Sequence, residues 1–304
     1  MLRGARLIST VVAAVLLVFS STWLLTRPHP RFVAGDPTLT SGDAGRGRLV
    51  FAAGDCASCH ASPGQPDRFR LGGDLALASP YGIFRVPNIS PDPEAGIGSW
   101  SVADLANALI SGVSPSEQHY YPAFPYASYT GMTLGDIRDL YAFLHTLSPV
   151  PERAQPHQIS PLFRIRRFVG LWKLLFFREG RSGGTENGDP VHDRGAYLVE
   201  TLGHCAECHS SRNIFGAIKP KTRFAGGVSS EDVGFSPNIT PIGIGSWSEQ
   251  DLVEMLRSGM TPGHGYVGWV MADVVENTAE LPEVDRMAIA RYVKSLPPRP
   301  TPHP

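Results

Sequence analysis

The sequence predicts an all-α protein: two tandem helical units with long loops, preceded by an N-terminal transmembrane helix. Three observations carry this. A long uncharged run follows the first residues, a block of sequence occurs twice, and the apolar positions inside each copy recur at helical spacing with no alternating strand pattern to compete.

The chain opens MLRGARLISTVVAAVLLVFSSTWLLTRP. Arg3 and Arg6 precede an uncharged run from Leu7 to Thr26, which Arg27 and Pro28 close. A positive start followed by an apolar run is an export signal. The run approaches the ~20 residues that span a bilayer and no A-x-A site follows, so residues 1–28 are expected to form an uncleaved anchor in the cytoplasmic membrane, its N-terminus inside. A cleaved signal peptide is the alternative. Either way the remainder is exported to the periplasm.

The duplication covers residues 40–148 and 190–297. The first copy reads GRLVFAAGDCASCH, LGG, PNISP, GIGSWSVADL and ISGVSP; the second reads AYLVETLGHCAECH, AGG, PNITP, GIGSWSEQDL and RSGMTP. In each copy a short helix carrying Leu49 and Val50, or Leu198 and Val199, runs into the cysteine motif. Ser101 with Asp104, and Ser248 with Asp251, form capping boxes that open a second helix. Leu105 and Leu109, or Leu252 and Leu256, lie on its apolar face, and Gly112 or Gly259 ends it. A last helix carries Ile137, Leu140, Tyr141 and Leu144 in one copy and Val284, Met287, Ala288 and Tyr292 in the other, with Pro282 in its first turn. The loops are longer than usual for a compact domain, which a bound cofactor would offset by supplying the missing core. The repeated Pro-Asn-Ile of residues 87–89 and 237–239 reads either as a loop against that cofactor or as a simple turn. Trp100 and Trp247 read as core anchors or as hydrogen-bond donors to it.

Between the copies, residues 149–189 contain SPLFRIRRFVGLWKLLFFREG, where Arg164, Arg166, Arg167, Lys173 and Arg178 interleave with aromatic and aliphatic side chains. This segment suits a membrane surface, a partner, or a helix packed across both units. GRSGGTENGDP, residues 180–190, reads as a tether.

Four cysteines in an exported chain usually make two disulfides. Here all four fall in Cys56-Ala-Ser-Cys59-His60 and Cys205-Ala-Glu-Cys208-His209, two instances of C-x-x-C-H, the attachment signature of c-type haem. Two thiols add to the vinyl groups and the adjacent histidine becomes the proximal iron ligand. One copy alone fits a zinc half-site or a redox dithiol. Two copies behind an export signal, with no other cysteine, point to two covalently bound haem c groups held by Cys56, Cys59, His60, Cys205, Cys208 and His209. The net charge of -1 leaves no basic excess for a nucleic-acid partner. With no Ser/His/Asp or nucleotide-binding motif present, the expected chemistry is one-electron transfer.

Electron-transfer haems usually have both axial sites filled. In the second unit Met271 is expected as the sixth ligand, from a loop before the last helix; Met260 is second choice, and Met255 and Met287 read as core. Twelve residues after Gly112, as Met271 is twelve after Gly259, stands Phe124, which cannot ligate iron. The first iron therefore takes His119, or Met132, or stays open to small molecules. His157 and His192 read as solvated.

These residues resemble the membrane-bound cytochrome c subunits of bacterial periplasmic dehydrogenases for alcohols, gluconate, sorbitol or fructose, and related diheme cytochromes. The likeness spans nearly the whole chain: the paired C-x-x-C-H motifs, PNI(S/T)P, GIGSWS, YPAFPY and the closing LPP. Many members carry three haem motifs and YPAMPY with the Met as ligand, whereas this chain has two and YPAFPY. The resemblance implies two class I-like cytochrome c domains, and electron relay from a periplasmic dehydrogenase toward quinone or a terminal oxidase. The competing reading is a diheme redox enzyme, of peroxidase or thiosulfate-oxidising type, with an open first haem.

Overall fold

A computed structural model of the chain describes residues 2–180, 187–228 and 234–302, with side chains from Thr10 onward except that of Leu162. The Arg3 and Arg6 side chains and most of the tether, residues 181–186, lie outside the described residues.

The N-terminal run is helix α1 (Leu2–Leu25). The expected transmembrane helix is corrected: among the described residues no helix is long and apolar enough to cross a membrane. The side chains of α1 from Val11 to Leu25 are mostly exposed. Its C-terminal end is fastened to the body. The Arg167 guanidinium lies 4.3 Å from the Trp23 ring centroid and donates to the Trp23 carbonyl.

In the first copy, α2 (Ala44–Ala53) starts at Asp43, whose carboxylate accepts from Arg46 N, and leads into α3 (Cys56–His60). After a long loop, α4 (Val102–Ala106) opens on the Ser101–Asp104 capping box and continues as a π turn, Asn107–Ser111, that Gly112 ends at φ 59°. A short α5 (Tyr126–Tyr129) precedes α6 (Leu134–Leu144). The linker contributes α7 (Arg167–Phe176). The second copy follows the same order: α8 (Pro190–Tyr197) with a π turn Leu198–Leu202, a 3₁₀ turn Cys205–Glu207, α9 (Pro241–Ile244), α10 (Glu249–Ser258) on its own capping box, α11 (Val270–Ala279) and α12 (Glu283–Ser295). Pro282 stands just before α12, at its N-cap.

The first and last helices of each copy cross closely, α2 on α6 and α8 on α12. A glycine makes each crossing possible. A Cβ on Gly47 would lie 1.9 Å from the Asp139 carbonyl oxygen, and one on Gly195 would lie 2.0 Å from that of Ala288. The apolar core is continuous through both copies, joining Phe51, Leu71 and Ile137 to Leu198, Val199 and Phe224.

The all-α expectation is also corrected. A hairpin of β1 (Ala76–Ser79) and β2 (Gly82–Arg85) pairs antiparallel from Ala76↔Arg85 to Ser79↔Gly82, and β3 (Gln158–Ile159), from the linker, adds to β2. In the second copy β4 (Gly227–Val228) pairs with β5 (Phe235–Ser236). These strands are short and mostly half-exposed, so they leave little alternation to read.

The linker is bound to both copies. Lys173 Nζ donates to the Ser111 and Gly112 carbonyls at 2.6 and 2.8 Å, satisfying the open C-terminal end of the π turn. On the other side Trp172 Nε1 donates to the Phe215 carbonyl at 2.9 Å. His157 and His192 are not solvated: His157 packs against Phe84 and Tyr121, and His192 is buried beside Tyr292.

Candidate haem-binding site

Each cysteine motif is launched from a residue in the left-handed region, Asp55 at φ 53° and His204 at φ 37°. That turn ends the preceding helix and starts a new one at the first cysteine. In α3 the side chains of Cys56, Cys59 and His60 stand at i, i+3 and i+4, one face of one turn. Three groups that must meet one planar ring are thereby presented together.

The histidines are held by a device that occurs twice. His60 Nδ1 lies 2.8 Å from the Pro87 carbonyl oxygen, and His209 Nδ1 lies 2.7 Å from that of Pro237. A carbonyl oxygen only accepts, so in both rings Nδ1 carries the proton and Nε2 keeps its lone pair. Burial pushes the His60 pKa down to about 4 and lowers that of His209 as well, which keeps both imidazoles neutral near pH 7. Neutral imidazole with a fixed tautomer is what an iron ligand requires.

The Pro-Asn-Ile loops supply those carbonyls, and their asparagines hold the loops in place. Asn88 Nδ2 donates to the Val150 and Glu152 carbonyls at 2.7 and 2.9 Å while its Oδ1 accepts from Ser90 N at 2.8 Å. Asn238 repeats the pattern with the Arg299 carbonyl at 2.8 Å, Thr301 Oγ1 at 3.0 Å and Thr240 N at 2.8 Å. From sequence alone the loop is either a turn or a cofactor contact. What it does here is hold a carbonyl against the histidine of the cysteine motif.

Burial raises the thiol pKa values of Cys56 and Cys205, the latter to about 12, which disfavours a redox dithiol. Among the described residues no group of three or more His, Cys, Asp or Glu side chains converges on a bare ion. The donor set fits a covalently attached porphyrin better than zinc.

The candidates for the sixth position are placed as follows. Met271 stands in the first turn of α11, half-buried against the shared core, where the sequence suggested a loop. Phe124 sits in an aromatic group, its ring 5.9 Å from Tyr129, 5.5 Å from Tyr120 and 6.2 Å from Tyr126. His119 is buried with Nε2 2.8 Å from the Thr26 carbonyl oxygen, and among the described residues no partner meets its Nδ1. Met132 is buried within the shared core.

Residues 44–148 match the cytochrome c family. Over 300 residues the chain is 46% identical to a diheme cytochrome c-type protein of Cereibacter sphaeroides, a match covering 96% of this chain and 98% of that one. The chain belongs to the diheme c-type cytochromes. The fructose dehydrogenase cytochrome subunit of Gluconobacter japonicus shares 34% identity over 97% of this chain and 60% of its own length. The cytochrome c subunit of the quinone-dependent alcohol dehydrogenase of Gluconobacter oxydans shares 36% identity over 83% of this chain and 54% of its own length. The chain thus spans less than two thirds of those two dehydrogenase subunits.

As a diheme cytochrome the protein carries two covalently bound haem c groups. The signal for Pro87 and Pro237 is present in the sequence as the repeated PNI. Its chemistry becomes readable only once each histidine is seen against the carbonyl.

Proposed function

We propose that this diheme cytochrome is an electron-transfer subunit that passes electrons singly from a periplasmic dehydrogenase toward quinone or a terminal oxidase. The observation that carries the reading is the doubled His–Pro contact: two imidazoles, each neutral, each with Nε2 free to ligate and its tautomer fixed by a carbonyl. Bound haem supplies reversible one-electron chemistry; the protein's part is to attach, orient and enclose it. Cys56, Cys59 and His60 hold one group, and Cys205, Cys208 and His209 hold the other. The likeness to named dehydrogenase cytochrome subunits supports a dehydrogenase as donor. Exposed apolar side chains along α1, such as Leu17, Phe19 and Leu25, and Leu174 and Leu175 on α7 support contact with the membrane.

For the second iron we propose Met271 as sixth ligand. For the first, His119 would have to give up its hydrogen bond to Thr26, and Met132 would have to leave the core, so ligation by either requires a local rearrangement. Those two placements, with Phe124 in the Met271 slot, favour the second reading, a redox enzyme whose first iron is open.

Optical and EPR spectra of the oxidised holoprotein separate the two, together with His119→Ala, Met132→Ala and Met271→Ala variants. Two low-spin haems without peroxide turnover support relay. A high-spin first haem that turns over peroxide overturns it.

A further inference from the structure

Each attachment turn is gripped by side chains from the opposite copy. Asn277, on α11 of the second copy, is 1% exposed. Its Nδ2 donates to Asp55 Oδ1 and, at 3.0 Å, to Ser58 Oγ, while its Oδ1 accepts from Arg68. Asp55 immediately precedes Cys56, and Ser58 lies inside Cys56-Ala-Ser-Cys59. Glu280, one turn further along, fixes the same approach through Arg68 and Arg48 at 2.9 and 3.0 Å.

The reverse contact is made by two adjacent residues, one through its ring and one through its hydroxyl. Tyr129, on α5 of the first copy, packs its ring 5.3 Å from His204, the residue before Cys205. Its neighbour Ser128 donates to Glu207 Oε1 at 3.2 Å, and Glu207 lies inside Cys205-Ala-Glu-Cys208. Asp55 with Ser58 and His204 with Glu207 occupy matching places in the two motifs. In each case the opposite copy touches both places.

We propose that Asn277 is a positioning residue for the haem of the first unit, and Ser128 and Tyr129 for the haem of the second, so that each half of the chain sets the electrochemistry of the other. This rests on the haem-binding reading above. Asn277 fixes the left-handed residue that launches the first motif, and with it the direction of the Asp55 carboxylate beside the first thioether. Its amide reaches Asp55 and Ser58 together, and so braces both ends of the turn at once.

The test is potentiometric titration and EPR of the holoprotein and of Asn277→Ala, Asp55→Asn and the double variant, with the two haems distinguished by a His209→Ala variant. Denatured mass is measured first, and a wild type lacking two covalent haems would count against the haem reading rather than this one. In Asn277→Ala the reduction equilibrium of the first-unit haem shifts about tenfold while the second-unit haem stays in place, and adding Asp55→Asn produces no further full shift. Asn277→Ser, which keeps a donor, covers the case in which the alanine variant fails to fold and restores part of the wild-type value. Equal shifts in both haems, no shift, or simple additivity with Asp55→Asn would each overturn the proposal.

Discussion

Asp55 gives the most direct quantitative test of how tightly the attachment turn is enclosed. Burial holds its carboxyl up at about 6, against hydrogen bonds from Ser58 and Asn277 that pull it down, from an ordinary value of 3.8. Between those two values the folded protein binds the proton more tightly than the unfolded chain does. Stability from this residue is therefore greatest below the unfolded pKa, falls as pH rises through the folded pKa, and is level above it. At 1.36 kcal/mol per pKa unit the full swing is about 3 kcal/mol. Asp55→Asn removes the titration while keeping the side-chain shape. Asn tolerates the left-handed conformation, and its amide oxygen still accepts from Asn277 and Ser58. The variant should thus gain on the wild type as pH rises from 4 to 7, by up to about 3 kcal/mol, or several degrees in Tm for a domain of this size. The assay is guanidinium or thermal unfolding of both holoproteins at matched pH values, using the difference between them so that other titrating groups cancel. A difference that stays constant over that range would show that Asp55 ionises as an exposed carboxyl does, and that the attachment turn is open to water.

Phe124→Met should place a thioether in the slot that Met271 occupies in the second copy, raising the first haem's potential and its low-spin fraction. It exchanges three ring contacts for weaker sulfur contacts at about 1–2 kcal/mol, visible as a lower Tm. Unchanged spectra and potential would break the register between the two loops. Gly195→Ala should destabilise by about 3 kcal/mol or more, because its Cβ would meet the Ala288 carbonyl oxygen at 2.0 Å; Gly47→Ala should do the same at Asp139. Near-wild-type urea midpoints for both would mean that the crossings relax.

Much of the scaffold is legible in the sequence because local chemistry specifies it. The capping boxes at Ser101 and Ser248 and the left-handed Gly112 and Gly259 are decided by residues within a few positions of one another, and all four are present in the fold. The C-x-x-C-H pentapeptides are local in the same sense. What stays hidden depends on distance along the chain. The β3 strand of the linker forms only against β2, more than seventy residues earlier. Helix α11 follows a Gly-rich stretch that reads as loop, although Val270, Val274 and Val275 carry helical spacing. Gly47 and Gly195 look like ordinary glycines until the facing helix is in place. Asn277 reads as one polar residue in a helix, and nothing near it in sequence announces Asp55, 222 positions away.

The duplication also argues for a direction of electron flow. On the proximal side the copies are nearly identical: His–Pro distances of 2.8 and 2.7 Å, with the same Asn bracing the loop. A difference in potential between the haems must then arise elsewhere, and the copies diverge at the distal slot and around the cysteine motif. At the proposed distal slot one has Phe124 and the other Met271, and thioether ligation favours the reduced iron. Beside the first cysteine one has the Asp55 carboxylate and the other His204, and a carboxylate, once ionised, favours the oxidised iron through Coulomb attraction. Glu207 puts a carboxylate inside the second motif as well, but Arg212 pairs with it at 2.5 Å, so the distal slot and Asp55 act in the same sense. The first-unit haem should be the lower-potential site, receiving electrons from the donor and passing them to the second. A titration that assigns the higher potential to the first unit would refute this order, and with it the claim that proximal symmetry leaves the distal slot and the cross-copy contacts to set the gradient.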